Sequence, residues 1–458
     1  MKYFARVLCV LLVAVGSERT SASETVRGAD YSSLYEAIEK NPGRVIDAGP
    51  GDWTIDRGLT LSSDRSGLRG TGRIIQTNPK VPIVEVRNAQ DVSISEVTLM
   101  RPAADSGSEA EGLLAVNCRY LSVDRVKVVD NRANRGAISL EKCFFASIRN
   151  STVRNYMKVA IDDRTQGAQH WGYAFYCTDG TGVAVKSSEG TLLMGNIVTE
   201  DNLRPTPEMQ KAHKLGSFVR KNATKGSLIS QEAWDGEYVS NWQQGSGIWV
   251  GHPEETRYTR IIGNHIRNAA QGIDLHCDQV IVSGNIVENA FMGMKAMHGS
   301  RNVLIEGNQF SRNVLWSIGL MPGAASHGGK TAADGTSTPP NVDGWSIIAN
   351  NIISDFGYGD AFWVWKDDGM VKVKAPLRFD VGQEESDPPL TDVVVTGNVI
   401  QAGGHAGPGP SEADPRFTFS VLIESAKAGR GGPPQNLHFR DNVFPAGKEG
   451  VSNQPLPE

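Results

Sequence analysis

Between Thr259 and Phe310 one phrase occurs three times: TRIIGNHI (259–266), VIVSGNIV (280–287) and VLIEGNQF (303–310). Each is a short alternating apolar strand that reaches Gly-Asn and resumes with another apolar pair. Alternation of this kind reads as a half-buried strand, and Gly-Asn reads as a tight corner. Further copies lie outward on both sides, at TLLMGNIV (191–198), VVVTGNVI (393–400) and LHFRDNVF (437–444). Weaker ones are DVSISEVTL (91–99), YLSVDRVKV (120–128), FASIRNSTV (145–153) and WSIIANNII (345–353).

Asn264, Asn285 and Asn308 are spaced by 21 and 23 residues. A period of that length holding several short strands is one coil of a stacked solenoid, here a parallel β-helix. The intervals from Asn308 to Asn351, Asn398 and Asn442 are 43, 47 and 44 residues and read as two repeats each. Leucine-rich repeats have a similar period but need regular leucines, which are missing, and propeller signatures are absent as well. Corners explain the 50 glycines, and stacked asparagines are expected to bond from coil to coil. Cys118, Cys143 and Cys277 each stand five residues before an inward strand position, as does Ser300, so they share one place in the coil; buried thiols are the expectation, although a Cys118–Cys143 disulfide is geometrically open.

Composition excludes several classes. Of 458 residues, 39% are hydrophobic and 21% charged, which excludes a disordered chain, and glycine has no three-residue period, which excludes a collagen. The net charge of −5 does not suggest a nucleic-acid partner. Lys2 and Arg6 followed by the apolar run Val7–Val15 read as a signal peptide over residues 1–22, too short to span a bilayer. The expected location is therefore periplasmic or secreted, with no integral membrane segment once the signal is removed and oligomerisation left open.

Residues 23–80 read as an N-terminal cap and first coils, with a capping box at Ser33-Leu-Tyr-Glu36 opening a helix over 33–40. Residues 81–458 read as the β-helix, interrupted by insertions at 199–246, 322–344 and 366–390.

The helix, then VIDAGPGDWTIDRGLTL (45–61), GLRGTG (67–72) and the Gly-Asn coils together resemble the pectate-lyase-like superfamily of right-handed parallel β-helices. The resemblance implies an all-β, single-stranded right-handed solenoid. It leaves the reaction open among lyases, hydrolases, epimerases and non-catalytic binders.

The strand after each coil's glycine is expected to build a flat face suited to a polymer. Its copies are AISLE (137–141), AIDDR (160–164), GVAVK (182–186), GIWVG (247–251), GIDLH (272–276) and GMKAM (293–297). Alternation turns Ile273 and Leu275 inward and Asp274, His276 and Lys295 outward, with His298 opening the following turn. Abstraction of the C5 proton of a uronic acid needs a base, a cation on the carboxylate and an acid. His276 is the candidate base or acid, Lys295 the cation on the carboxylate or, with a lowered pKa, the base, Asp274 the group that orients His276 or keeps Lys295 charged, and His298 completes the catalytic set. Asp162, Arg164, Lys186, Trp234, Trp249 and His252 are candidates for holding substrate, the tryptophans by stacking on sugar rings. Gly272-Ile-Asp274-Leu-His276-Cys-Asp278 also resembles the Asp-Pro-His-Asp motif of periplasmic alginate C5-epimerases, which implies the base role for His276 and a supporting role for Asp274. Leu275 replaces the proline, Cys277 is inserted, and Lys295 stands where the family has arginine.

The expected function is therefore β-elimination or C5-epimerisation of a uronate-containing polysaccharide. The alternatives are a glycoside hydrolase using Asp274 with Asp162 or Glu232, and a non-catalytic glycan-binding β-helix. No metal site is assigned; calcium would need three or more carboxylates on adjacent coils, and no clean cluster is visible, so the cofactor requirement stays open.

Overall fold

A computed structural model describes residues 25–102, 108–133, 135–162, 172–201, 206–220, 223–226, 229–239, 243–359, 361, 373–403 and 415–458. Residues 1–22, expected to be a signal peptide, and Arg164 lie outside the described residues.

The Gly-Asn phrases become the corners of a stacked coil. Gly195, Gly263, Gly284, Gly307 and Gly397 have φ between 61° and 66°, a left-handed conformation that glycine adopts at little cost. The asparagine after each glycine turns inward, where a bare amide would lose its water. It is satisfied by its own kind. Asn196 Nδ2 donates to Asn264 Oδ1 at 2.9 Å, and the chain continues through Asn285, Asn308, Asn351, Asn398 and Asn442 at 2.9–3.0 Å. The ladder corrects one reading of the spacing. Asn308, Asn351, Asn398 and Asn442 stack directly, so the long intervals are single coils carrying excursions rather than two repeats each. Insertions leave at corners without disturbing the stacked strands, so spacing alone does not separate the two cases.

Strands build two long parallel sheets, one of 13 strands and one of 21 among the described residues. The second bends because each coil crosses it twice. His265–Leu275 pairs first with Ile197–Thr199 and then with Ser246–Gly251. The core is a set of apolar columns: Ile248, Ile273, Met294, Ile318, Leu377 and Val421 share one register and are all buried. Each such side chain contributes about 1.5–3 kcal/mol of burial. Helix α1 (Leu34–Lys40) closes the N-terminal end, burying Leu34 and Ala37 beside the strand Leu59–Leu61. Ser33 Oγ accepts from the Glu36 amide, and Glu36 reaches back to the amide of Ser32.

The inserted region is larger than the sequence suggests. Residues 158–162 and 172–180 leave the coil instead, and with them the described part, Ala160–Asp162, of the expected face strand AIDDR. Lys158–Asp162 runs antiparallel to Tyr173–Asp179, which pairs with Phe218–Arg220 from the second excursion. The two excursions fold on one another with helices α2 (Pro207–Ala212) and α3 (Gln231–Gly236), around a small core of Tyr173, Phe175, Cys177, Ile229, Trp234 and Val239. A short apolar alternation fits a hairpin strand as well as a coil strand, which is why the pattern misassigned it. Conversely, 366–390 is not wholly a loop, since Leu377–Phe379 rejoins the sheet. Cys118, Cys143 and Cys277 are buried free thiols.

Candidate functional site

The flat face carries one outward column through Ser139, Ala184, Trp249, Asp274, Lys295, Gly319 and Arg378, in register from coil to coil. Neighbours in such a column are about 4.8 Å apart. Both excursions of the inserted region leave from the corner preceding the face strand, over the coils of Ala184 and Trp249. Residues 321–343 leave from its other end, after Trp316–Leu320. The two ends of the face strands are thereby walled, and Asp274, although it points outward, is only 5% exposed.

Asp274 joins two coils. Its Oδ1 lies 2.9 Å from His276 Nε2 on its own strand, and its Oδ2 lies 3.4 Å from Lys295 Nζ on the next. The short contact to His276 lacks hydrogen-bond alignment, so Asp274 Oδ1 and His276 Nε2 each lack a hydrogen-bond partner although they are buried. Burial pushes the Asp274 carboxyl toward its neutral form, but the charges of His276 and Lys295 outweigh it and hold the group well below the usual carboxylate range. Asp274 is thus an anion at any ordinary pH.

His298, on the following coil, packs edge-to-face on His276 with ring centroids 4.4 Å apart. Its Nδ1 accepts from the amide of Ala325 at 3.3 Å. Burial, then the charges of His276 and Lys295, lowers its pKa to about 3. Trp249 sets its ring edge-on to His276 at 5.9 Å and to His252 at 6.4 Å. Its indole lies across Gly251, where any side chain would collide with it. His252 stands exposed at the rim, 4.0 Å from Glu255. Lys186 shares the register of Gly251 and lies 4.0 Å from Glu141.

Two expected substrate contacts are elsewhere. Asp162 is buried in the hairpin opposite Phe175, off the face column, because its strand leaves the coil. Trp234 is buried in the core of the inserted region with the Arg220 guanidinium 4.2 Å over its ring, so no sugar can stack there. Asp278, the last residue of the epimerase-like motif, is engaged past the corner by Arg301 at 3.1 Å and Asn302 at 2.7 Å. Arg378 was not expected on the face. It stands two coils beyond Lys295, paired with Asp380 at 3.0 Å and Glu424 at 2.7 Å. The alternation in Leu377–Phe379 was its only signal, and three residues are too few to distinguish a strand from a loop. Among the described residues no group of three or more His, Cys, Asp or Glu is placed to hold a metal ion.

Residues 83–310 match the sequence family described as the right-handed beta helix region. No curated protein matches the chain by sequence. Among solved structures, an exopolygalacturonase from Thermotoga maritima is similar over 92% of this chain and 91% of its own, with TM-score 0.55 and 9% identity. The Dettilon tailspike protein is similar over 90% and 68%, with TM-score 0.54 and 12% identity. PfbA, a surface adhesin of Streptococcus pneumoniae, is similar over 92% and 93%, with TM-score 0.52 and 12% identity. The family match and these structures together show the fold, a right-handed parallel β-helix. Among the described residues no helix is long and apolar enough to cross a membrane.

Proposed function

We propose that this protein is an exported enzyme that removes the C5 proton of a uronate unit in a polysaccharide, leading to β-elimination or C5-epimerisation. The observation that carries the reading is the Asp274 carboxylate held between His276 and Lys295 on adjacent coils of the walled face. Its contact to Nε2 favours the proton on that nitrogen and leaves Nδ1 of His276 as the base. The C5–H bond breaks toward His276 Nδ1, and its electron pair moves into the sugar carboxylate. Lys295 stabilises the charge that develops there. The pair then returns in one of two ways. It expels the C4 oxygen, which takes up a proton, giving an unsaturated end, or C5 is reprotonated from the opposite side. Trp249 offers an apolar surface beside the reacting unit.

The fold does not choose this chemistry, because the similar structures include a hydrolase, a tailspike and an adhesin. Hydrolysis needs a second carboxylate at a set separation. The two expected partners, Asp162 and Glu232, belong to the inserted region rather than the face column. A panel of acidic and neutral polymers tests the reading. Unsaturated, ultraviolet-absorbing ends identify a lyase, and an altered sugar NMR spectrum without cleavage identifies an epimerase. New reducing ends without absorbance, or binding without any change, sink the proposal.

A further inference from the structure

Residues 321–343 do more than wall the groove: several of their polar contacts gather on His298 and the two residues after it. Ala325 N–H donates to His298 Nδ1 at 3.3 Å. Asn341 Nδ2 donates both to the His298 carbonyl at 3.0 Å and to the Ala325 carbonyl at 2.7 Å, tying the two segments together. Asn341 is itself held by Arg301, which reaches it at 3.1 Å from its pair with Asp278. Asp343 is 1% exposed and accepts from the amides of Gly299 and Ser300, the two residues after His298, at 2.9–3.0 Å, and from the Ser326 hydroxyl. Ser326 Oγ in turn accepts from the Gly323 amide at 2.9 Å.

The fit is close on both sides. Gly323 lies so near the His298 ring that a Cβ would strike Nδ1, and Gly299, at φ 91°, has Asn341 where its Cβ would be. His298 is left-handed, at φ 61°, as are many corner residues of the coils, His252 among them.

We propose that the 321–343 segment is a strap that holds His298 as the Nε2–H tautomer beside His276, with Asn341 and Asp343 as its positioning residues. An Nδ1 that accepts a backbone N–H carries no proton, so in the neutral ring the proton is on Nε2. His298 then serves as a neutral hydrogen-bond donor and leaves the base role to His276. The fold thereby separates two adjacent histidines into different jobs. Burial and the neighbouring charges of His276 and Lys295 disfavour a cationic His298, in agreement with that assignment. The consequence for turnover rests on the function proposed above, but the tautomer does not.

The test is long-range nitrogen–proton NMR of the mature chain labelled with ¹⁵N-histidine, with His298 assigned by its loss in His298→Gln. The expected spectrum shows one neutral His298 tautomer, unprotonated at Nδ1, at neutral pH. Asp343→Asn should turn it into a mixture of tautomers. Asn341→Ser, which opens the clamp without touching the buried carboxyl, should do the same and serves if Asp343→Asn does not fold. A wild-type His298 protonated at Nδ1 overturns the proposal, as does an unchanged tautomer in a folded strap variant. If no polymer is turned over by the wild type, the function fails while this measurement still decides the strap.

Discussion

Asp274 and Lys295 occupy the same register on adjacent coils, and their carboxylate and ammonium groups meet at 3.4 Å inside a walled face. Because the strands on either side are locked by backbone hydrogen bonds, the pair is positioned by the scaffold rather than by flexible loops. The same carboxylate holds His276, so the three side chains are expected to act as a unit.

Their removal is the first test. His276→Ala should lower turnover by about 10²–10⁴-fold, the usual contribution of a positioned base. Lys295→Ala should lower it by roughly 10²–10³-fold through lost charge stabilisation. Both variants should keep the far-ultraviolet circular dichroism of the wild type, since neither side chain belongs to the core columns. Full activity in either variant would remove that residue from the site.

A second prediction concerns pH. Burial raises the Asp343 pKa to about 7, above its ordinary 3.8, despite the hydrogen bonds it accepts. The folded chain therefore binds more protons than the unfolded one between those values, and this group's contribution to stability declines as pH rises from about 4 to 7. His298 has the opposite sign. Its pKa falls from 6.5 to about 3, so its contribution is present above pH 6.5 and is lost as pH falls toward 3. The two offset each other over their shared range. Thermal unfolding of Asp343→Asn should show a steeper loss on acidification than wild type, and His298→Gln a shallower one. Parallel profiles for all three proteins would show that neither group is buried as described.

The asparagine ladder is open to a stability measurement. Asn308 Oδ1 accepts from both the backbone N–H and the side-chain amide of Asn285. Asn308→Ala leaves the buried Asn285 backbone N–H unpaired, at a cost of roughly 1–3 kcal/mol, while the Asn285 amide keeps its bonds to the Ile261 and Ser283 carbonyls. Denaturant unfolding should show a loss in that range. A neutral result would mean that water replaces the missing oxygen.

Gly251 tests the groove from a different side. Its missing Cβ is what allows the Trp249 indole to lie flat against the strand. Gly251→Ala should displace the ring, shift tryptophan fluorescence and weaken polymer binding while the fold persists. Unaltered fluorescence and binding would show that Trp249 does not depend on that space.

Much of the architecture can be read from local rules. The Gly-Asn corner needs only one residue that tolerates a left-handed turn and one that can bond to its own copies, so the phrase that repeats in sequence repeats in space. The same periodicity set the phase that turned Asp274, His276 and Lys295 outward on adjacent coils. It failed at Lys158–Asp162, where an equally apolar alternation serves an antiparallel strand of the inserted region, and at Leu377–Phe379, where three residues within a charged stretch look like a loop. Both failures lie beside insertions, where the coil period no longer constrains the chain.

What the sequence alone determined is therefore the solenoid, its corners and the outward residues of its undisturbed coils, because these follow from a fixed period and the alternation of side chains. Packing between distant segments is what takes Asp162 and Trp234 out of the groove, brings Arg378 into it, and closes Asn341 and Asp343 on His298. Those contacts join residues separated by long excursions, and packing between such segments leaves no periodic trace in the chain.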